Sequence, residues 1–342
     1  MPELNPAFVF RWGARFKPQR KFPMRVFNDF EHQPGTNGTG ESVLHDLEPL
    51  RRNLAPVKAT LVLASAKGGT GKSLLAVNLA GALVQAGKKV GIMDADLNAP
   101  SILPMLGTRA PLRFLSSEGI EPAAAPLGIR VISADLISES QRPAMSFLDD
   151  ETPAPPPVAP VQLSHAQALR RMLTQTRFGP LDLLIIDLAP GVEELQRLAR
   201  MFTPTGVILV THASGVDAAA MRHLFDLNKE IGAPIIGAIE NMIAFGCDNC
   251  RSVRPLFPQG DVAGVARMAE LPVIARLPFD PRFAESSDRA RIFVTEFPDT
   301  PLGKQLTEMA RHIDAMLTAK VRKAAAATAA PATPVSAGIR QA

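Results

Sequence analysis

The chain of 342 residues alternates short, almost wholly apolar runs with longer stretches of helical periodicity. Uninterrupted runs of Val, Ile and Leu are typical of strands buried on both faces of a sheet. We therefore predict strands at 60–65, 89–93, 129–133, 182–187, 206–211, 234–240 and 273–277. Helical spacing predicts helices at 72–86, 164–176, 193–201, 218–231, 262–270 and 302–317. This alternation predicts an α/β fold, with a mostly parallel β-sheet and helices on both faces.

Composition divides the chain into three parts. Residues 1–58 form a basic and aromatic N-terminal extension, and residues 59–318 form the predicted α/β domain. Within that domain, residues 143–160 are a Pro-rich insertion that cannot continue a helix or an inner strand. Residues 319–342 are rich in Ala and Pro with few large apolar side chains, which predicts a disordered tail.

The net charge of +4 comes from the ends of the chain, since residues 319–342 contain four basic and no acidic residues. Residues 1–58 add nine basic and six acidic residues, which leaves the domain slightly acidic. This distribution argues against a broad nucleic-acid-binding face. No apolar run approaches the roughly 18 residues of a transmembrane helix, and no secretory signal is visible. With only two cysteines, we expect a reducing, cytoplasmic location.

A glycine-rich loop joins the first predicted strand to the helix that follows. Its sequence is Ala66-Lys-Gly-Gly-Thr-Gly-Lys-Ser73. Glycines let backbone N–H groups turn inward around phosphate oxygens, and the helix N-terminus adds a partial positive charge. We predict that Lys72 reaches the β- and γ-phosphates of a nucleotide and that Ser73 ligates Mg²⁺. The predicted nucleotide-binding residues of the loop are Gly68, Gly69, Thr70, Gly71, Lys72 and Ser73.

Two other strands end in acidic residues at the sheet edge where this loop lies. Asp94 and Asp96 end the second strand, and their spacing places them on one side of an extended segment. We expect one to organise the site and the other to orient or deprotonate attacking water. The fourth strand ends in Asp187, which is predicted to bind Mg²⁺ directly or through water. The N–H of Gly191, just beyond it, is predicted to contact the γ-phosphate.

Both cysteines of the chain lie in Cys247-Asp-Asn-Cys250, shortly after the strand at 234–240. Two thiolates at this spacing bind one soft metal centre from the same turn, but zinc or a 4Fe–4S cluster usually takes four. A two-fold homodimer would supply the missing pair. Spacing alone leaves open half of a zinc site, a redox pair and half of a bridging iron–sulfur cluster.

The lysine-led loop Lys67-Gly-Gly-Thr-Gly-Lys-Ser73 resembles the deviant Walker A loop of the MinD/ParA superfamily of P-loop ATPases. In that superfamily the early lysine reaches the nucleotide of the partner subunit. The resemblance therefore implies a homodimer in which Lys67 is catalytic together with Lys72. It also implies that Asp96 polarises the attacking water.

A longer resemblance covers residues 59–318. Glu240-Asn-Met-Ile-Ala-Phe-Gly-Cys-Asp-Asn-Cys250 resembles the E-N-M-S-x-F-x-C-P-x-C segment of Mrp/ApbC-type iron–sulfur carrier ATPases. Runs resembling their G-P-S-I-P and I-P-L-D-P segments begin at Ala99 and Leu277. The resemblance implies an ATPase that uses ATP and Mg²⁺ and holds a labile 4Fe–4S cluster between two subunits. It further implies transfer of the cluster to apo iron–sulfur client proteins, and a place near the adenine for Asn241.

The chain departs from that family at several places. Val192 and Glu193 stand where Gly or Thr is usual after the family's D-L-P-P-G switch. Ala189 replaces the first Pro of the D-L-P-P-G switch, and the Pro-rich insertion stands where a W-R-G-P-M stretch is usual. The family's T-T-P-Q segment is here Thr211-His-Ala-Ser214. The movement of the switch and the choice of partner are therefore the properties that the resemblance supports least.

The N-terminal extension carries seven of the 18 aromatic residues within residues 8–30, interleaved with basic residues. Such a segment folds back on its own protein, docks on a partner, or meets bases or an anionic membrane surface. We favour a docking arm for client proteins.

Two other functions compete with cluster carriage. A MinD/ParA-like positioning ATPase, acting as a nucleotide-switched scaffold on membrane or nucleoid, explains the loop and Lys67 equally well. It leaves Cys247 and Cys250 without a role. An electron-transfer ATPase resembling the nitrogenase iron protein would use two distant cysteines per subunit, which this spacing does not match.

Overall fold

The computed structural model describes residues 48–108, 113–115, 119–133, 165–212, 214–246, 250, 252–257, 262–268 and 270–329. The N-terminal extension as far as residue 47, the Pro-rich insertion and Cys247 lie outside the described residues. Among the described residues, no helix has the length and apolarity needed to cross a membrane.

A central sheet of eight strands organises the described part of the chain. Its strands are β1 (Thr60–Ala64), β2 (Val90–Ala95), β5 (Ala123–Ala124), β6 (Arg130–Ser133), β7 (Leu183–Leu188), β8 (Gly206–Thr211), β9 (Ile235–Glu240) and β12 (Val273–Arg276). Their order is β12-β9-β8-β1-β7-β2-β6-β5, and only the β5–β6 pair is antiparallel. Two further pairs of antiparallel strands form separate two-stranded sheets. They are β3 (Arg113–Leu115) with β4 (Gly119–Glu121), and β10 (Ala244–Gly246) with β11 (Val253–Pro255).

Helices cover both faces of this sheet. They are α1 (Glu48–Leu54), α2 (Lys72–Gln85), α3 (Ile102–Met105), α4 (His165–Gln175), α5 (Val192–Ala199), α6 (Gly215–Ile231), α7 (Val262–Met268), α8 (Pro281–Asp288), α9 (Phe293–Glu296) and α10 (Pro301–Ala329). All seven predicted strands and all six predicted helices are present, and the predicted fold class is confirmed.

Alternation along β1 divides the core into two layers. Leu61 and Leu63 join a cluster with side chains of α2 and α10, whereas Val62 and Ala64 join one with side chains of α4, α5 and α6. Because successive strand residues face opposite sides, an all-apolar strand must be covered twice, which is why this strand contains no polar side chain except Thr60 at its start. The layers hold the carboxyl ends of β1, β2 and β7 side by side.

The body of the protein begins before residue 59, earlier than the composition predicts. Helix α1 packs on α4, and the buried side chain of Asn53 donates to the carbonyls of Leu173 (3.3 Å) and Thr174 (2.6 Å). The Lys58 N–H then donates to the Leu181 carbonyl at 3.0 Å. Residues 48–58 therefore belong to the domain and not to the extension. The segment carries mixed charge and one short apolar pattern, so its composition does not distinguish it from the residues before it.

The last helix also differs from the prediction. Helix α10 continues to Ala329, inside the segment 319–342 for which the composition predicts a disordered tail. Val321 packs against the core, and the stretch beyond it is dominated by alanine, the residue type with the highest intrinsic helix propensity. The prediction of a disordered tail relied on the lack of large apolar side chains. It did not take into account that alanine, although small, readily extends a helix that has already begun.

Candidate functional site

The glycine loop has the geometry of a phosphate cradle. It connects β1 to α2, and its Gly69 and Gly71 have φ of +78° and +84°, a region that L-residues other than glycine rarely adopt. Gly71 is also the residue that precedes the first turn of α2. A Cβ at position 71 would lie 2.5 Å from Nδ2 of Asn241, so close packing excludes a side chain there as well.

Lys72 is buried at the start of α2 and is held by a neighbour that the sequence did not single out. Its Nζ donates to Oγ of Ser65 at 2.9 Å, and that hydroxyl donates to the Lys67 carbonyl at 2.6 Å. Burial lowers the pKa of Lys72, while the charges of Asp187 and Asp96 act in the opposite direction. The ammonium group is thus kept at the loop, where incoming phosphate oxygens would compete for it.

Ser73 and Asp187, the predicted magnesium ligands, are hydrogen-bonded to each other. The Ser73 hydroxyl donates to Oδ2 of Asp187 at 2.5 Å, and Oδ1 of the same carboxylate is buried without a hydrogen-bond partner among the described residues. Burial raises the pKa of Asp187 to about 7, against the opposing effect of the Ser73 hydrogen bond. A hydroxyl beside a carboxylate with an unpaired oxygen is a donor set that suits Mg²⁺, so these residues fit the ion.

The two acidic residues of β2 have different surroundings. Asp94 is fully buried opposite Asp187 in the sheet, and it accepts backbone N–H donors from Asp96 (3.2 Å), Ser101 (2.8 Å) and Ile102 (3.0 Å). Burial raises its pKa to about 6, opposed by those hydrogen bonds. Asp94 therefore fixes the loop after β2.

Asp96 is only half-buried, and its Oδ1 accepts the N–H groups of Asn98 at 3.2 Å and Ala99 at 3.1 Å. This accessibility, together with its place at the same sheet edge as Lys72, suits the expectation that Asp96 orients a water molecule. The structure thus separates the pair into a buried residue that shapes the loop and an accessible one.

Gly191 and Asn241 connect other strands to the phosphate loop. The Gly191 N–H donates to the Ser65 carbonyl at 2.9 Å, so the predicted contact with a γ-phosphate requires that this bond open. The buried Asn241 side chain donates through Nδ2 to the Thr70 carbonyl at 2.9 Å, and its N–H donates to the Thr211 carbonyl at 2.8 Å. Its proximity to adenine stays a prediction.

The cysteine motif falls between β10 and β11, in a hairpin that follows the carboxyl end of β9. The Cys250 side chain is exposed and its Sγ lies 3.0 Å from Oγ of Ser252. Within the part of the chain that the structure describes, no group of three or more His, Cys, Asp or Glu side chains is arranged as a metal site. The described residues of one subunit therefore offer the single thiol of Cys250 and no preformed metal cage.

Sequence reasoning missed a cluster beside Lys67. The Lys67 Nζ lies 4.0 Å from Oδ1 of Asp217, and the His212 ring lies between Asp217 and Phe257. The pattern Ser214-x-x-Asp217 matches a helix capping box, and the Ser214 side chain does cap α6. This pattern predicts the start of the helix. The contact with Lys67, however, joins residues 150 positions apart, and no local sequence pattern predicts it.

A strand, a glycine cradle, a helix that begins with Lys-Ser, and a Ser–Asp pair on the neighbouring strand define a P-loop NTPase. A model of the NUBPL iron-transfer P-loop NTPase family, within the ParA group, matches residues 56–314. The chain belongs to this family and is an NTPase of the MinD/ParA superfamily, of the Mrp/ApbC type that the sequence predicts.

Relatives with assigned names agree with this placement. The chain is 32% identical over 259 residues to an iron-sulfur cluster carrier protein of Saccharolobus solfataricus, a match that covers 75% of this chain and 83% of the relative. It is 34% identical over 245 residues to an iron-sulfur cluster carrier protein of Methanocaldococcus jannaschii (70% and 79%). It is 31% identical over 267 residues to the cytosolic Fe-S cluster assembly factor NUBP2 of Rattus norvegicus (76% and 94%).

Solved structures support the same fold. A nucleotide-binding protein of Archaeoglobus fulgidus, in complex with ADP, superposes with a TM-score of 0.57 at 26% identity and covers 72% of this chain and 92% of its own. The cell division ATPase MinD of Pyrococcus furiosus superposes with a TM-score of 0.51 at 17% identity, covering 75% and 99%. The second likeness concerns the fold alone.

Proposed function

We propose that the chain is an ATP-hydrolysing carrier of a labile 4Fe–4S cluster. It holds the cluster at a homodimer interface through Cys247 and Cys250 and hands it to apo iron–sulfur proteins. The observation that carries this proposal is the place of the exposed Cys250, in a hairpin at the sheet edge that also bears the phosphate loop. The names of the relatives, iron-sulfur cluster carrier proteins and Fe-S cluster assembly factors, support it.

Ligand number and exposed apolar surface support a second copy of the chain as the partner. One subunit offers two thiolates, and a 4Fe–4S cluster usually takes four. Val216 (66% exposed), Val253 (72%) and Leu256 (40%) are large apolar side chains open to solvent. Val216 adjoins the residue that contacts Lys67, and the other two lie in the cysteine hairpin or just after it. Contact between two such faces would bury this surface and bring four thiolates together.

The nucleotide chemistry assigns a role to each residue of the loop edge. Ser73 and Asp187 would hold Mg²⁺, and the bound ion would supply positive charge beside the phosphate oxygens. Lys72 exchanges its hydrogen bond to Ser65 for phosphate oxygens, and Asp96 orients the attacking water. Lys67 adds positive charge toward the partner subunit's nucleotide.

Anaerobic reconstitution with iron and sulfide tests the proposal. Wild-type protein should gain the visible absorbance of a cluster and bind roughly one 4Fe–4S cluster per two chains, and its mass in solution should be that of a dimer. Cys247→Ser and Cys250→Ser should each lose the cluster. Ser252→Ala, which removes the neighbouring hydroxyl without removing a thiol, should keep it.

Three results would contradict the proposal. Stoichiometric zinc without a cluster would assign the thiols to a different metal. A cluster retained after both cysteines are replaced would place it elsewhere. Full cellular function of the doubly substituted, cluster-free protein would favour the positioning ATPase instead.

A further inference from the structure

The Asp217 side chain is largely buried and hydrogen-bonded beside the phosphate loop, whereas the Lys67 side chain is exposed. The Asp217 side chain is 11% exposed and sits in the first turn of α6, where its N–H donates to Oγ of Ser214 at 3.1 Å and Ser214 donates back to its Oδ2. The Lys67 side chain is 41% exposed, and its Nζ lies 4.0 Å from Oδ1 of Asp217. Lys67 is therefore the more exposed partner of the pair, and Asp217 is a hydrogen-bonded carboxylate that attracts its ammonium group.

A histidine occupies the other side of the same carboxylate. Nδ1 of His212 lies 3.6 Å from Oδ2 of Asp217, and the imidazole is largely buried. Its Nε2 is enclosed without a hydrogen-bond partner among the described residues. The ring position is therefore set by the carboxylate on one side and by packing on the other.

The packing partner of His212 comes from the cysteine hairpin. The rings of His212 and Phe257 stack with centroids 4.7 Å apart and an interplanar angle of 25°. Phe257 lies two residues beyond β11, and β11 pairs with β10 immediately before Cys247. A shift of the His212 ring thus acts on the segment that closes the hairpin.

We propose that Asp217 is a positioning residue for Lys67, and that the His212–Phe257 stack connects the place of Lys67 to the cysteine hairpin. Phosphate oxygens compete with Asp217 for the ammonium group of Lys67. Once Lys67 leaves, Ser214 and His212 are the remaining partners of the Asp217 carboxylate among the described residues, so the imidazole moves toward the carboxylate and Phe257 follows. This inference rests on the proposed function, since it explains how nucleotide binding affects the thiols that would bind the cluster.

Thiol reactivity in the metal-free full chain tests the connection without needing a cluster. With Cys247→Ser as background, the alkylation rate of Cys250 is measured with and without a non-hydrolysable ATP analogue and Mg²⁺. We expect nucleotide to change that rate by roughly fivefold or more, the lower end of common coupling strengths. Phe257→Ala should abolish the nucleotide effect while nucleotide affinity stays unchanged, and Phe257→Tyr, which keeps a stacking ring, should restore it.

The Lys67 contact is tested separately by nucleotide affinity. Asp217→Asn should raise affinity by up to about fivefold, the range of a partly exposed ion pair, because the competing carboxylate charge is gone. In a Lys67→Ala background the same substitution should have no further effect. Additive effects of the two substitutions, or a nucleotide effect on Cys250 that survives Phe257→Ala, would overturn the inference. Failure of cluster reconstitution would overturn only the proposed function, because neither measurement here uses a cluster.

Discussion

Gly71 and Asn241 are packed so closely that a Cβ on the glycine would lie 2.5 Å from the amide nitrogen of the asparagine. The amide in turn donates to the Thr70 carbonyl at 2.9 Å, so the two residues join the end of β9 to the phosphate loop. These two contacts link the phosphate loop to the start of the segment that leads to the cysteines.

Replacement of Gly71 by alanine should therefore destabilise the protein and weaken nucleotide binding. The positive φ alone costs on the order of 1–2 kcal/mol, and the clash with Asn241 adds to that cost. Gly87→Ala is the matched control, because Gly87 has φ of +82° and a Cβ there would have no atom within 4 Å. Chemical unfolding and nucleotide titration measure both effects. Equal losses for the two variants would show that the Asn241 contact is unimportant.

Asp187→Asn should weaken the Mg²⁺ dependence of nucleotide binding. If Asp187 contacts the ion through bound water, the expected loss of metal affinity is roughly 10- to 100-fold. Titration with ATP in Mg²⁺ and in a chelator measures it. The variant should unfold no more easily than wild type, since burial raises the pKa of this carboxylate and its charge therefore opposes folding.

Asp96→Asn provides the contrast for that experiment. It should keep the Mg²⁺ dependence of binding while hydrolysis falls by about 10²- to 10⁴-fold, the usual range for loss of a general base. If Asp96→Asn lost Mg²⁺ dependence and Asp187→Asn kept it, the two assignments would be reversed.

Because Asp94 and Asp187 are buried carboxylates with raised pKa values, we expect the free energy of unfolding to fall as the pH rises. Asp94 has a pKa of about 6 in the folded protein against an ordinary value of 3.8, so the folded state binds its proton more tightly than the unfolded state. Ionisation therefore lowers the free energy of unfolding above pH 4, and Asp187 adds a component of the same sign. Asp94→Asn should make the fall between pH 5 and 8 shallower by about 1 kcal/mol.

Urea unfolding at a series of pH values checks this prediction, and Asp182→Asn is its control. The hydrogen bond from Lys58 lowers the pKa of Asp182, so the stability it contributes is present above the unfolded pKa and lost only below it. Its replacement should leave the slope between pH 5 and 8 unchanged. If the pH dependence of unfolding stayed the same in Asp94→Asn and changed in Asp182→Asn, the pKa shifts assigned to these two residues would be contradicted.

Deletion of residues 1–45 should reduce cluster transfer to client proteins and leave hydrolysis and cluster loading intact, if the extension is a docking arm. The deletion stops before α1, because Leu50 and Asn53 are buried and bind the body of the protein. A deletion to residue 57 should instead lower the thermal midpoint. If the protein without residues 1–45 transferred clusters to client proteins at the wild-type rate, the docking hypothesis would be wrong.

The sequence predicts the sheet and the phosphate loop well because both depend on local patterns. Uninterrupted apolar strands and the spacing of Gly69, Gly71 and Lys72 can be recognised from the local sequence alone. The structure places the glycine loop between β1 and α2, and the binding roles of its residues stay predictions. The start of the body is harder, since Asn53 matters only through partners on α4 more than a hundred residues away. The Lys67–Asp217 contact and the His212–Phe257 stack depend in the same way on how distant segments meet.

Residues 56–58, which connect α1 to β1, contact one end of β7, and the phosphate-loop edge of the sheet lies at the other end. Pro56 and Lys58 exchange backbone hydrogen bonds with Leu181, just before β7, and Asp187 lies near the strand's far end. At about 3.3 Å per residue the two ends are roughly 20 Å apart. If residues 1–47 form the docking arm that the sequence predicts, replacing them should redirect the carrier to other recipient proteins. The nucleotide site should stay unchanged, because the residues that join α1 to β1 contact the opposite end of β7.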